Sequence, residues 1–194
     1  NMKVPCRYNM LSSPLAQVKG IDVHRGPFKV LEGASVTLEE GEIVAVMGEN
    51  GAGKTTLIEA FAGILPLRSG EVIWHEGNES TVVRDSEGRR NPPPPMGLTL
   101  QRGGICGDET VFERMAVSLS VAGISSDVEQ ILELLDHWGL RHRSNDRVAH
   151  LSGGLRRRLA ILCGLAPAAL SQSPRVVLLD EPSEGLDESA KVTL

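Results

Sequence analysis

The sequence predicts an α/β protein on three observations. A β-branched run at residues 42–47 breaks into a glycine-rich segment and then into a helix-forming stretch at residues 54–62. An apolar run at residues 175–179 has the character of a strand buried on both faces of a parallel sheet. Between the two lies a segment of helical periodicity, and strand and helix alternating around an inserted helical piece is an α/β pattern.

In chain order, residues 18–23 and 31–38 read as strands split by a turn at Arg25-Gly26-Pro27, so a small β-layer precedes the glycine-rich loop. Residues 42–47 are expected as the strand that feeds the loop, and residues 54–62 as the helix that leaves it, stopped at Gly63. A further strand is expected at residues 71–74. The chain then decays into a polar stretch, residues 77–90, and the four prolines Pro92, Pro93, Pro94 and Pro95, read as an extended surface excursion. From Glu109 the character is helical, most clearly at residues 126–138, where Val128, Ile131, Leu132 and Leu135 share one face. Ser125 or Ser126 can cap its start and Gly139 its end. Residues 155–166 are helical again, with Pro167 expected to kink that helix or end it early. There is no internal repeat.

Composition limits the function. The 194 residues fit one domain, and 41% hydrophobic with 23% charged residues is the balance of a soluble globular protein. With 3% aromatic residues and a net charge of -5, no field or stacking surface attracts nucleic acid, and any anion site must be local. No apolar stretch approaches the roughly 20 residues that span a bilayer, so no direct membrane span is expected. Cys6, Cys106 and Cys163 share no metal-ligand spacing and read as reduced thiols of a cytoplasmic protein.

Gly48-Glu49-Asn50-Gly51-Ala52-Gly53-Lys54-Thr55 fits the phosphate-loop pattern and runs on into Thr56. Glycines let backbone N–H groups turn toward phosphate oxygens, Lys54 reaches the outer phosphates, and Thr55 offers a hydroxyl to Mg²⁺. Downstream, Asp180 and Glu181 end the apolar run, where open α/β sheets place their ligands. Asp180 is the candidate for Mg²⁺, and Glu181 for the water that attacks the γ-phosphate. Ser152-Gly153-Gly154 begins a helix with a hydroxyl and two residues lacking Cβ, a second surface fit for an anion or simply a cap and joint.

The ordered set (phosphate loop, Gln101 after a strand, Leu151-Ser152-Gly153-Gly154, Asp180-Glu181-Pro182, then Ser183-Glu184-Gly185-Leu186-Asp187) resembles the ATP-binding cassette family from about Val18 onward. The resemblance implies a RecA-like P-loop NTPase core made of residues 1–100 and 149–194, with a small antiparallel β-layer and an α-helical subdomain inserted at residues 101–148. It implies a transporter subunit that binds and hydrolyses ATP with Mg²⁺ and works peripherally on the cytoplasmic face of the membrane. A second cassette subunit would pair head to tail, Ser152, Gly153 and Gly154 closing over its ATP, and the helical insert would dock on a transmembrane permease subunit. Gln101 would sense Mg²⁺ and the attacking water, Asp187 would cross the dimer interface, and His24 or Phe28 would stack on adenine.

The pattern departs from the family in two places. Leu155 stands where a glutamine usually follows the glycine pair. The family carries a switch histidine a few dozen residues beyond the acidic pair, a position this sequence does not reach, and none of His75, His137, His142 or His150 is placed to replace it, so the expectation is either a cassette lacking the C-terminal part of its core or one that hydrolyses ATP poorly. Two alternatives therefore stand beside the transporter subunit: a soluble cassette ATPase, and an ATP-binding module with little hydrolysis.

Overall fold

A computed structural model describes residues 14–100, 107–186 and 191–192. They fall into two compact units divided between Pro94 and Pro95.

The first unit is a four-stranded antiparallel sheet and one helix. Strands β1 (Pro14–Arg25) and β2 (Phe28–Glu39) form a long hairpin. Helix α1 (Lys54–Phe61) follows the glycine-rich loop. Strands β3 (Ser69–Glu76) and β4 (Glu79–Asp85) complete the order β2-β1-β3-β4. Along β1 the buried residues are Ala16 and Val18, then Ile21 and Val23. The change of phase follows a register shift between Val18 and Ile21, where Gly20 takes a left-handed φ of 56°. One extra residue there turns the following side chains back onto the core face.

Helix α1 packs on this sheet through Leu57, Ala60 and Phe61, all nearly inaccessible. Its C-terminus closes with Gly63 N–H donating to the Ala60 carbonyl at 2.9 Å and Ile64 N–H to the Glu59 carbonyl at 3.0 Å. Gly63 has φ 68°, so this is a Schellman end. Two side chains reach the remaining carbonyls: Trp74 Nε1 donates to Phe61 O at 3.0 Å and Arg84 Nε to Gly63 O at 2.6 Å. The Arg84 cation thereby faces the negative end of the helix dipole.

Two expectations fail in this unit. Residues 42–47 form no regular strand, with Ile43 and Met47 exposed. Their β-branched residues suit a strand, but Met47 alone makes a β-bridge and none of the four sheet strands pairs with the segment. The polar stretch after residue 77 is not all excursion, because β4 lies within it, joined to β3 by the two-residue turn Gly77-Asn78. That is a tight hairpin connection, with Gly77 at φ 58°.

The second unit holds a short parallel pair and a helical cluster. Strands β5 (Gly97–Thr99) and β6 (Val177–Leu179) pair in parallel. Helices α2 (Val111–Val121), α3 (Val128–His137) and α4 (Gly153–Ala169) pack around Met115, Leu119, Leu135, Leu140, Leu159 and Ile161. Helix α3 is capped by Asp127, not by Ser125 or Ser126. Asp127 Oδ1 accepts from Gln130 N–H at 2.9 Å and Gln130 Oε1 accepts from Asp127 N–H at 3.0 Å, a reciprocal box; Ser126 with Glu129 has the same spacing one residue earlier, but the helix starts at Val128 and Asp127 takes the cap. Thr110 and Glu113 make the same box for α2.

Pro167 lies inside α4, and the helix continues to Ala169. A proline leaves the carbonyl four residues earlier without its helical donor. That carbonyl is Cys163 O, and Ser118 Oγ of α2 donates to it at 2.9 Å. At the other face of α4, a side chain at Gly97 would collide with the Gly164 carbonyl, so the helix lies directly on the β5 backbone. Thr99 Oγ1 adds a buried bond to Ala160 O at 3.2 Å.

Candidate functional site

The phosphate-loop residues lie in the first unit. Gly48, Glu49, Asn50 and Gly51 are exposed, Ala52, Lys54 and Thr55 half-buried, Gly53 and Thr56 buried. Gly51 and Gly53 take φ values of 84° and 94°, which open the chain into a concave turn ending at α1. Gly53 also has no room for a side chain: a Cβ would sit 2.9 Å from Leu31 Cδ2 and 3.2 Å from Val30 Cγ1. The Lys54 ammonium spans the loop, donating to Gly48 O at 2.8 Å and Glu49 O at 3.1 Å.

The start of α1 differs from those of α2 and α3. Those two carry capping boxes and an acid in the first turn, Glu113 and Glu129, whereas α1 has glycine at its cap, no side-chain cap and no acid in its first turn. A helix beginning in that way leaves its N–H groups and positive dipole end for an external anion, and Lys54 adds a cation. The residues present therefore fit a polyphosphate.

His24 and Phe28 lie at the end of the β1–β2 hairpin, opposite Lys29 and Arg25 respectively. The same end of the hairpin meets the glycine-rich loop, since Val30 and Leu31 are the residues a Gly53 side chain would strike. An Arg25–Glu59 ion pair ties it to α1. Phe28 is 73% exposed, while His24 is half-buried.

The acidic pair lies in the second unit, directly after β6. Asp180 is 1% exposed, and its N–H continues the ladder to Thr99 O at 2.9 Å. Glu181 has φ 48°, alone among the described non-glycine residues in being left-handed. Such a backbone costs on the order of 1–3 kcal/mol and persists where the surroundings hold it. Glu184 N–H donates to the Glu181 carbonyl at 3.0 Å, closing a turn over residues 181–184.

Ser152, Gly153 and Gly154 sit exposed at the start of α4, with Ser152 Oγ accepting from Leu155 N–H at 3.3 Å. A Cβ on Gly154 would lie 3.6 Å from Gly185 O, so the helix start adjoins the end of the acidic turn. Gln101 and Asp187 lie outside the described residues.

One residue of this region escapes sequence reasoning. Arg157, one turn into α4, donates from Nη1 to Leu100 O at 3.1 Å and from Nη2 to Asp180 O and Glu181 O, both at 2.9 Å. Its guanidinium thus binds the backbone at the carboxyl ends of β5 and β6 together. Nothing in the sequence separates it from its neighbours Arg156 and Arg158.

Comparison with known proteins identifies the family. A profile of the ABC transporter family matches residues 31–184. The methionine import ATP-binding protein of Clostridioides difficile is 30% identical over 175 residues, 89% of this chain and 52% of that protein. The cytochrome c biogenesis ATP-binding export protein of Albidiferax ferrireducens is 31% identical over 180 residues, 93% of this chain and 80% of that protein. A solved structure of the ATP-binding subunit of an ABC transporter superposes with a TM-score of 0.72 at 25% identity, covering 92% of this chain and 71% of that one. The chain thus spans about half the length of the methionine importer subunit, and the import and export names belong to those relatives. No helix among the described residues is long and apolar enough to cross a membrane. On the match across residues 31–184, the phosphate loop at α1 and the acidic turn after β6, this chain belongs to the ABC transporter family, among its ATP-binding subunits.

Proposed function

We propose that this chain binds Mg-ATP through residues 48–56 and hydrolyses it as the motor of a membrane transporter. The observation that carries the reading is the start of α1: a glycine loop, no side-chain cap, no acid, and Lys54 reaching across. In this reading Lys54 binds the outer phosphates and Thr55 offers its hydroxyl to the metal, with Asp180 and Gln101 as further metal candidates. Mg²⁺ supplies charge neutralisation on the transferred phosphoryl group. Glu181 orients the attacking water and takes its proton. Phe28, an exposed ring on the hairpin beside the loop, is the better adenine platform than half-buried His24.

The family reading extends this to partners. A second cassette subunit would pair head to tail, with Ser152, Gly153 and Gly154 meeting its ATP and Asp187 near the interface. Residues 101–148 would form an inserted helical subdomain that meets a permease subunit at the cytoplasmic face of the membrane, the remaining residues forming the nucleotide-binding core.

The test is titration with a fluorescent ATP analogue, followed by Mg-ATP turnover over a range of protein concentrations. Lys54→Ala removes charge-assisted bonds and weakens binding by roughly 10- to 100-fold. Phe28→Ala weakens it by at least about 5-fold, the low end for loss of a base–aromatic stack. Turnover rises faster than linearly with protein concentration and falls by roughly 10²- to 10⁴-fold in Glu181→Gln, leaving a residual rate. Equal affinity for Lys54→Ala and the parent chain refutes the loop assignment; binding without turnover leaves an ATP-binding module.

A further inference from the structure

We propose that Arg157 is a positioning residue that sets the backbone of Glu181, tying the strength of the hydrolytic site to the start of the helix that carries Ser152. The inference rests on the reading of Glu181 as the residue that handles the attacking water.

Three observations carry it. Glu181 is held left-handed, a conformation its own side chain disfavours, so something outside the residue must stabilise it. Its carbonyl accepts two bonds, one from Glu184 N–H within the turn and one from Arg157 Nη2 outside it. The same guanidinium nitrogen also binds Asp180 O, and the other terminal nitrogen binds Leu100 O, the residue before Gln101. A planar fork with donors on both arms suits this task, because it fixes three carbonyls of two chain segments in one orientation. A lysine in its place has one nitrogen and cannot span both segments.

The position of Arg157 along α4 gives the clamp its consequence. Arg157 lies five positions after Ser152, about one and a half turns of a rigid helix. Its stem lies along the acidic turn, with Cγ 3.9 Å from where a Gly185 side chain would begin. A displacement of the helix start is therefore delivered to the Asp180 and Glu181 carbonyls by a side chain, without passing through the intervening loops. Its contacts here are to backbone carbonyls, so its effect on the reaction is one of position and runs through the placement of Glu181.

The experiment compares the parent chain with Arg157→Met, which keeps the stem and removes all donors, and Arg157→Lys, which keeps the charge. Hydrogen exchange is read at the Glu184 and Asp180 amides, which report the turn and the β6 ladder. Arg157→Met speeds exchange at Glu184 roughly 10- to 100-fold, with the α1 and β1 amides unchanged. Turnover falls about 10- to 100-fold in kcat with KM within about threefold, since misplacing one reacting group lowers the chemical step and not nucleotide binding. In a Glu181→Gln background the same change costs nothing further. Arg157→Lys falls between the parent and Arg157→Met. Unchanged exchange at Glu184 overturns the proposal, as does a kcat loss of equal size in both backgrounds. Should Arg157→Met fail to fold, the Arg157→Lys exchange profile decides alone, faster exchange at Glu184 supporting the clamp and parent-like exchange refuting it. A parent chain that binds ATP without turnover removes the catalytic reading of Glu181, while exchange at Glu184 still decides whether Arg157 holds the turn.

Discussion

Replacing Gly53 by alanine tests the loop geometry most directly. Gly53 has φ 94° and ψ 12°, which costs an L-residue about 1–2 kcal/mol. The new Cβ also meets Leu31 Cδ2 at 2.9 Å, Val30 Cγ1 at 3.2 Å and the Val30 carbonyl at 3.3 Å. The leucine methyl can yield, but the branched valine and its backbone cannot do so freely, and overpacking of this kind costs roughly 1–3 kcal/mol. The sum is about 2–5 kcal/mol, or roughly 5–15 °C in Tm for a chain of this size. Gly51→Ala is the internal control: its φ of 84° carries the backbone cost, but its Cβ points into open space. It loses about 1–2 kcal/mol only. Trp74 lies in the first unit and Trp138 in the second. Fluorescence-detected melting in a Trp138→Phe background therefore reads the unit that holds the loop. If Gly53→Ala is no more destabilising than Gly51→Ala, Gly53 is not packed against Val30 and Leu31 and the described loop is wrong.

Two further outcomes concern α4. Ser118→Ala removes the donor to Cys163 O and costs about 1 kcal/mol in urea unfolding. Pro167→Ala restores a backbone donor to that carbonyl, so the double variant recovers part of the loss; strict additivity of the two refutes the compensation. Burial pushes the Cys163 thiol up to about 12 from an ordinary value of 9.0, outweighing the opposing effects of Arg114 and Ser118. An acid raised in the folded state contributes nothing adverse below the unfolded value, and its stability is lost as pH climbs from about 9 toward 12, while the unfolded thiol ionises and the folded one does not. The urea midpoint of the parent chain thus falls more steeply between pH 8 and 10.5 than that of Cys163→Ala, and parallel curves contradict this.

Much of the candidate site is legible in the sequence. The phosphate loop declares itself because backbone geometry and charge dictate particular residue types at particular offsets, and the left-handed angles at Gly51 and Gly53 are the reason glycine stands there. The hairpin was legible from its turn, and β4 had an equally plain signal in Gly77-Asn78, masked by the polar residues around it. The cap of α3 was narrowed but not fixed by the sequence, since Ser126 with Glu129 and Asp127 with Gln130 both carry the capping-box spacing. Residues 42–47 show the opposite limit. Their pattern suits a strand, yet strand formation depends on a partner distant in sequence, which local periodicity does not encode. Arg157 lies beyond the same limit, because its three acceptors are 23 to 57 residues away and converge only when α4 packs on the strand ends.

The two ends of α1 are held unequally. Trp74 and Arg84 grip the last carbonyls from β3 and β4, and the Schellman turn closes the rest, whereas the first turn is held by its own glycine loop and Lys54. Mechanically this is a cantilever clamped at its far end. A load applied at the near end would pass to the sheet through the indole and guanidinium at the far end, the Arg25–Glu59 ion pair and the packing of Leu57, Ala60 and Phe61. Cutting either fastening, by Trp74→Phe or Arg84→Met, shifts that load onto the attachments that remain.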